Sequence, residues 1–251
     1  MNSLRVGCVK YLNARPLIQG WHGHVEFDHP SALCRRLARG DIDLALVSSF
    51  EFLRNPIYRI VDCVSLSSDG PVYSVIVAHR GDISKVEQIE LDPAAETSVN
   101  LLRCLLAELS LTPRLVASST SSRSGRLLIG DQAIEFRQQH GTEFHYWDLG
   151  AQWKGIVDLP FVYALWLIRP EVGDANAIAD ELRALRDENL ATLDELLAQE
   201  KKFDRAFCRR YYRDNLRFSF GDREKRGLQR FAELCTELDL IPKRALKLEL
   251  V

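Results

Sequence analysis

At 251 residues, 46% hydrophobic and 27% charged, the chain is long enough for one large domain or two smaller ones with true cores, and its composition is that of an ordinary globular protein. A formal net charge of -2 and the lack of a basic tail exclude a generic nucleic-acid binder. No run of about 18 apolar residues is present to cross a bilayer, and MNSLRVGCVKYLN has neither the charged head nor the apolar run of a secretory leader, so a cytoplasmic protein is expected.

The pattern starts with an apolar strand over Leu4–Val9, followed by Asn13 where the strand should end and by a short helix over Pro16–Gly20 that Pro16 can open. Val25–Asp28 reads as a short strand. In HPSALCRRLARGD, Ser31 is a candidate cap, Leu33, Leu37 and Ala38 share one face, and Gly40 is the stop. Ile42–Ser49 is a third strand, which makes βαβαβ and a mostly parallel sheet. FEFLRN follows as a helix, and LSSDGP has the composition of a turn.

Val72–Arg80 is the next apolar strand. IELD is a short strand, and ETSVNLLRCLLAEL is a helix with the stripe Leu101, Leu102, Leu105, Leu106 and Leu109. RLVAS and RLLIG read as strands, DQAIEFRQQ as a helix, FHYWD as a strand and LGAQWKGI as a helix. A second α/β unit therefore runs from about residue 74 to 160. LPFVYALWLIRP favours a strand through Val162, Tyr163, Trp166 and Ile168. Helices complete the chain: Asn176–Gln199, FDRAFCRRYYRDNL and DREKRGLQRFAELCTEL. Two apolar strands thus bracket the second unit, which suggests one domain inserted into another through two paired hinge strands, with ligand in the cleft between them.

The cysteines Cys8, Cys34, Cys63, Cys104, Cys208 and Cys235 never form CxxC and are expected as buried reduced thiols rather than disulfides or metal ligands. His22 and His24 lack companion ligands and read as a solvated loop. The usual nucleophile elbows, phosphate loops and HExxH are missing. What recurs is neutral hydrogen-bonding residues at strand ends and helix starts: Asn13, Ser48 and Ser49, Ser67, Ser68 and Ser74 around DGPV, and Thr97 and Ser98. In open α/β sheets ligands sit beyond the carboxyl ends of strands, and hydroxyls with helix N-termini hold carboxylates well. Each residue has a plainer role. Thr97, Ser98 and Ser48–Ser49 serve as caps, Asn13 as a turn residue, Asp131 as a helix N-cap and Arg103 as a solvated edge. Taken together they point to a pocket for a small anion.

The stretches KYLNARPL, DIDLALVSS, SSDGPVYSV, LDPAAETSVNLLRCLL, LIGDQAI, YWDLGAQWKGIVDLPFVYALWLIRP and GLQRFAEL resemble, in order, the chorismate dehydratase family of the futalosine route to menaquinone. The resemblance runs from Arg5 to about Leu240; dihydroxynaphthoate synthase of the same route fits less well. It implies an α/β fold of the two-lobed periplasmic-binding-protein type (type II) with a helical C-terminal segment. One domain would comprise residues 1–73 and 166–251, with residues 74–165 inserted. It also implies a lyase that takes water from chorismate, a small dicarboxylate, to give 3-[(1-carboxyvinyl)oxy]benzoate without metal or organic cofactor, nucleic acid or membrane.

The matched positions make Asn13 and Ser74 catalytic, and Ser48, Ser49, Ser68, Gly70, Thr97, Ser98 and Asp131 substrate-binding. Asn13 would hold the substrate and donate hydrogen bonds as charge builds, while the substrate's own enolpyruvyl carboxylate takes the ring proton. Where the family has serine before YLN, this chain has Lys10, and Arg15 follows Asn13; both are candidate carboxylate partners or plain solvated cations. The alternative is a non-catalytic cytoplasmic binding protein for a small aromatic or cyclic carboxylate; the Asn13–Ser74 pair favours the enzyme. A regulatory domain would need a basic helix-turn-helix segment, and none precedes it. The aromatics of YYRDNLRFSF suit either an interface or a core-facing helix end, and the oligomeric state is not assigned.

Overall fold

The computed structural model of the chain describes residues 4–92 and 95–251. The first lobe is built by β1 (Val6–Cys8), a 3-10 helix over Leu12–Leu17, β2 (Val25–Phe27), α1 (Pro30–Arg39), β3 (Leu44–Ser48), α2 (Ser49–Arg54) and β4 (Arg59–Ser68). The chain then crosses to the second lobe: β5 (Val75–His79), β6 (Gln88–Glu90), α3 (Glu96–Glu108), β7 (Arg114–Val116), β8 (Ser124–Ile129), α4 (Gly130–His140), β9 (His145–Asp148) and α5 (Leu149–Val157). It returns through β10 (Phe161–Ile168) into α6 (Ala175–Ala191), α7 (Leu193–Ala198), α8 (Arg205–Arg210), a π-helical turn over Tyr211–Asn215, and α9 (Asp222–Glu237).

Among the described residues the strands form two five-stranded sheets, ordered β2-β1-β3-β10-β4 and β7-β6-β8-β5-β9. β1 runs parallel to β2 and β3, as the βαβαβ pattern requires. Both sheets are nevertheless mixed, because β10 is antiparallel to β3 and β4, and β5 to β8 and β9. The reason is the two-lobed path. A strand that enters its sheet from the cleft must run against the strands that end there. β5 and β10 each lie one strand in from the edge of their own sheet and do not pair with each other as hinge strands would. β10 pairs in the first sheet from Phe161 onward, so a boundary at 165/166 would cut it, and strand pairing sets the return crossing at 158–160.

Local details follow the chemistry. α1 starts with Pro30 at its first turn and His29 as cap, not Ser31, because the proline's fixed φ suits that position. It stops at Gly40, whose φ of 79° is left-handed. The helix expected over Asn176–Gln199 breaks at Thr192, whose hydroxyl donates to Glu188 O at 2.8 Å. The long strand β4 is absent from the sequence reading. Its apolar run is interrupted by Asp62 and by Cys63, at φ 64°, and its end is a serine-rich stretch that looks like a turn. Those serines are buried and bonded: Ser65 donates to Ser219 O and Ser67 to Arg217 O. The outer edge of β4 is covered by the C-terminal segments, with Ile60 N donating to Glu249 O at 2.7 Å and Ser67 N to Arg217 O at 2.9 Å, which protects it from pairing with another chain. The aromatics of YYRDNLRFSF are core: Tyr211, Tyr212, Phe218 and Phe220 are all buried. All six cysteines are free thiols; Cys63 is exposed and the others are buried. No helix among the described residues is long and apolar enough to cross a membrane.

Candidate active site

The strand ends of both sheets face one another across a cleft, and the cavity there is lined by Tyr11, Asn13, Ser48, Ser74, Thr97, Ser98, Glu96, Gly130 and Tyr163 over an apolar floor of Val9, Leu46, Leu66 and Ile129. Five of the residues expected from sequence are therefore brought together: Asn13, Ser48, Ser74, Thr97 and Ser98. Three helix starts converge on them, those of α2 after Ser48, α3 at Glu96–Ser98 and α4 at Gly130. Their first-turn N–H groups and dipoles make the cavity receptive to negative charge without a cation in it.

Asn13 lies inside the 3-10 helix rather than at the end of a strand, and its Oδ1 is buried with no partner, so its side chain is not spent on a turn. Ser48 and Thr97 bond each other hydroxyl to hydroxyl across the lobes, and Thr97 Oγ1 donates to Tyr163 O at 3.2 Å. Thr97 is not a helix cap, since the cap of α3 is Ala95; Ser48 stands at the cap position of α2, but its side chain makes no cap bond there. Ser74 is fully buried on the first crossing. Its carbonyl accepts from Gly130 N at 2.8 Å and its hydroxyl from Tyr211 at 2.6 Å.

The other expected residues sit beside the cavity, not on it. Ser49 donates to Val162 O at 2.7 Å and ties the start of α2 to β10. Ser68 donates to Gly70 O at 3.1 Å and also meets the Tyr163 hydroxyl at 3.1 Å. Gly70, at φ 130°, turns the first crossing. Asp131 is not the cap of α4. Its Oδ1 accepts from Leu12 N at 2.8 Å, so a carboxylate of one lobe caps the 3-10 helix of the other. Lys10 and Arg15 do not reach the cavity. Lys10 is exposed, and Arg15 Nη1 pairs with the buried Glu200 at 2.6 Å.

The crossing that carries Ser74 is braced by Asp148. Its Oδ1 accepts from Val72 N at 3.0 Å and Ala151 N at 3.0 Å, and its Oδ2 from Tyr73 N at 2.7 Å. Tyr73 sits at φ 68°, a left-handed conformation costly for a tyrosine, and Arg137 holds it by stacking over its ring at 3.9 Å and donating to its carbonyl at 3.1 Å. Gly130 is also required: at φ 55° it lies under the Tyr11 ring, and a Cβ there would come within 2.9 Å of that ring.

Sequence reasoning missed Tyr11, Tyr163, Glu96, Gly130, Asp148 and Tyr211. The GD of LIGDQAI and the tyrosine of KYLN are visible signals for two of them; Tyr211 and Asp148 have none, because only the fold brings them to Ser74. One group of possible metal ligands exists among the described residues, Cys34 with Glu51 and Glu96. Arg54 pairs with both carboxylates and already supplies the positive charge there, so the donor set does not fit a metal ion.

The sequence profile of a family described as menaquinone biosynthesis matches residues 4–237. A chorismate dehydratase of Thermus thermophilus is 30% identical over 255 residues, spanning 91% of this chain and 93% of that protein. A chorismate dehydratase of Campylobacter jejuni is 25% identical over 232 residues, 92% of each. Among solved structures, a protein from Archaeoglobus fulgidus matches with a TM-score of 0.72 at 18% identity over 95% of this chain and 98% of that one. The periplasmic aliphatic sulphonate binding protein of Escherichia coli matches at 0.65 and 14% identity over 96% and 94%. The structural likenesses carry the fold, a two-lobed α/β architecture of the periplasmic-binding-protein type. Matched from its fourth residue to its last long helix, the chain belongs to the menaquinone-biosynthesis family.

Proposed function

We propose that this chain is a lyase that dehydrates chorismate to 3-[(1-carboxyvinyl)oxy]benzoate in menaquinone biosynthesis. The observation that carries the reading is the pairing of whole-length similarity to two chorismate dehydratases with a cleft of apolar and hydroxyl-bearing residues, Glu96 its one carboxylate among the described residues, that contains Asn13 and Ser74. The substrate is a dianion, and the helix starts at Ser48, Glu96 and Gly130 suit its carboxylates.

The reaction needs little from the protein. Loss of the ring hydroxyl and of the proton on the adjacent ether-bearing carbon makes an aromatic ring, so the driving force is in the substrate. Asn13, on the cavity wall and with its Oδ1 unspent on the protein, holds the ring hydroxyl and donates from its amide nitrogen as charge builds on that oxygen. The Ser74 hydroxyl donates to the same oxygen as the carbon–oxygen bond breaks and its charge grows. The substrate's enolpyruvyl carboxylate takes the ring proton, and that proton and the departing hydroxide together make one water. Held in one conformer, the internal carboxylate gains the advantage of an intramolecular base. A cytoplasmic location belongs to the same reading, since unpaired buried cysteines suit a reducing compartment.

The test is incubation of the purified protein with chorismate, with product followed by chromatography and mass spectrometry. Wild type should form the aromatic enol ether, and Asn13→Ala should do so about 100-fold more slowly with its fold retained. A folded wild-type protein that binds chorismate but leaves it intact would make it a receptor instead.

A further inference from the structure

We propose that Tyr211 is a positioning residue, whose hydroxyl fixes that of Ser74 so that the serine proton points into the cleft. The proposal rests on the dehydratase reading and extends it to a residue outside the cavity wall. Tyr211 donates its only proton to Ser74 Oγ at 2.6 Å. The serine oxygen is therefore an acceptor on that side, and its own proton is directed elsewhere. The backbone of Ser74 cannot turn to compensate, because its carbonyl is bonded to Gly130 N and the preceding Val72 and Tyr73 N–H groups to Asp148. The face left open is the cavity that Ser74 lines.

Tyr211 is itself built into place. It is 1% exposed, its ring lies parallel to that of Phe207 at 5.8 Å and edge-on to that of Tyr73 at 6.4 Å. It opens the π-helical turn Tyr211–Asn215, a departure from regular helix that recurs at functional sites. Burial pushes the phenol's pKa up and outweighs the lowering effect of the neighbouring Ser74 and Asn13 side chains. The phenol therefore stays protonated and acts as a fixed donor, not as an acid that gives its proton away.

The experiment is a kinetic double-mutant cycle with chorismate as substrate, using wild type, Tyr211→Phe, Ser74→Ala and the double variant, each with a thermal melt. Tyr211→Phe keeps the ring and removes the hydroxyl. It should lower kcat about 10- to 100-fold, leave KM within about threefold and leave Tm nearly unchanged. In the Ser74→Ala background the same change should cost nothing further. A Tyr211→Phe kcat within about twofold of wild type, or an equal loss in both backgrounds, overturns the proposal. Lack of turnover by wild type overturns the dehydratase reading and this one with it, and is recognised because all four proteins then read alike. If Tyr211→Phe does not fold, 3-fluorotyrosine at the same position serves. A severalfold change in kcat seen only with Ser74 present supports the proposal, and no change overturns it.

Discussion

At the scale of single residues, the position that most sharply tests the chemistry is Glu96. It is a carboxylate on the cavity wall, with Oε1 on Arg54 at 3.3 Å and Oε2 buried without a partner. If the protein supplied the base, Glu96 would be the group to do it. Two arguments favour the substrate's own carboxylate. Glu96 is held by Arg54, and a further negative charge beside a dianion opposes binding. Glu96→Gln is therefore expected to keep kcat within about tenfold of wild type and to leave KM unchanged or lower; loss of turnover with chorismate still bound would make Glu96 the base. Asn13 and Ser74 are legible because their motifs carry them. Tyr211 and Glu96 are not, since an aromatic in YYRDNL and an acid at a helix start have common structural uses, and only the packing of distant segments aims them at the cleft. The cations flanking Asn13 were visible and misleading: Arg15 is drawn off by Glu200, 185 positions along the chain, which no local pattern could reveal.

At the scale of elements, strands and helices with clean periodicity were readable, and the failures have physical causes. β4 hides because its polar residues are bonded inside rather than solvated. The sequence puts Asn13 at a strand end and opens a short helix only at Pro16, whereas one 3-10 helix spans Leu12–Leu17 with Pro16 inside it. The crossings carry the same lesson. α5 approaches the first crossing so closely that a Cβ on Gly150 would come within 2.5 Å of Gly70 O and 2.8 Å of both Ser68 Oγ and Tyr163 Oη. The glycine in DLGAQW is thus a contact requirement, not a helix weakness. Gly150→Ala should cost about 1–3 kcal/mol by overpacking, despite alanine's better helix propensity. For a chain of this size that is a fall in Tm of about 2–12 °C, with kcat reduced because the segment carrying Ser74 is pushed aside. A melt unchanged from wild type would mean that α5 can slide, and that the two crossings are not held by this contact.

At the scale of the whole molecule, the polar contacts through which the lobes meet differ in worth. Lys202 pairs with Asp131 at 3.5 Å and Glu135 at 2.8 Å, but it is half exposed; such a pair contributes about 0–1 kcal/mol. The bond from Leu12 N to Asp131 Oδ1 matters more, because it satisfies the start of the helix that holds Asn13. The two-lobed plan was legible from the order of elements, whereas this latch was not, since Asp131 read as a cap for its own helix. Its titration gives a signed test. Burial raises the Asp131 carboxyl above its ordinary pKa, against the lowering effects of Leu12 N–H and Lys202. The folded protein therefore holds that proton more tightly than the unfolded chain. The contribution is fully present below the unfolded pKa of about 3.9 and is lost as pH rises through the raised folded value. Asp131→Asn keeps an acceptor for Leu12 N–H and removes the charge. The Tm of wild type relative to Asp131→Asn should thus fall as pH rises from the acid range toward neutrality, then level off. The opposite slope would mean that the ion pair with Lys202, rather than the cost of burying the charge, governs how the lobes are held together.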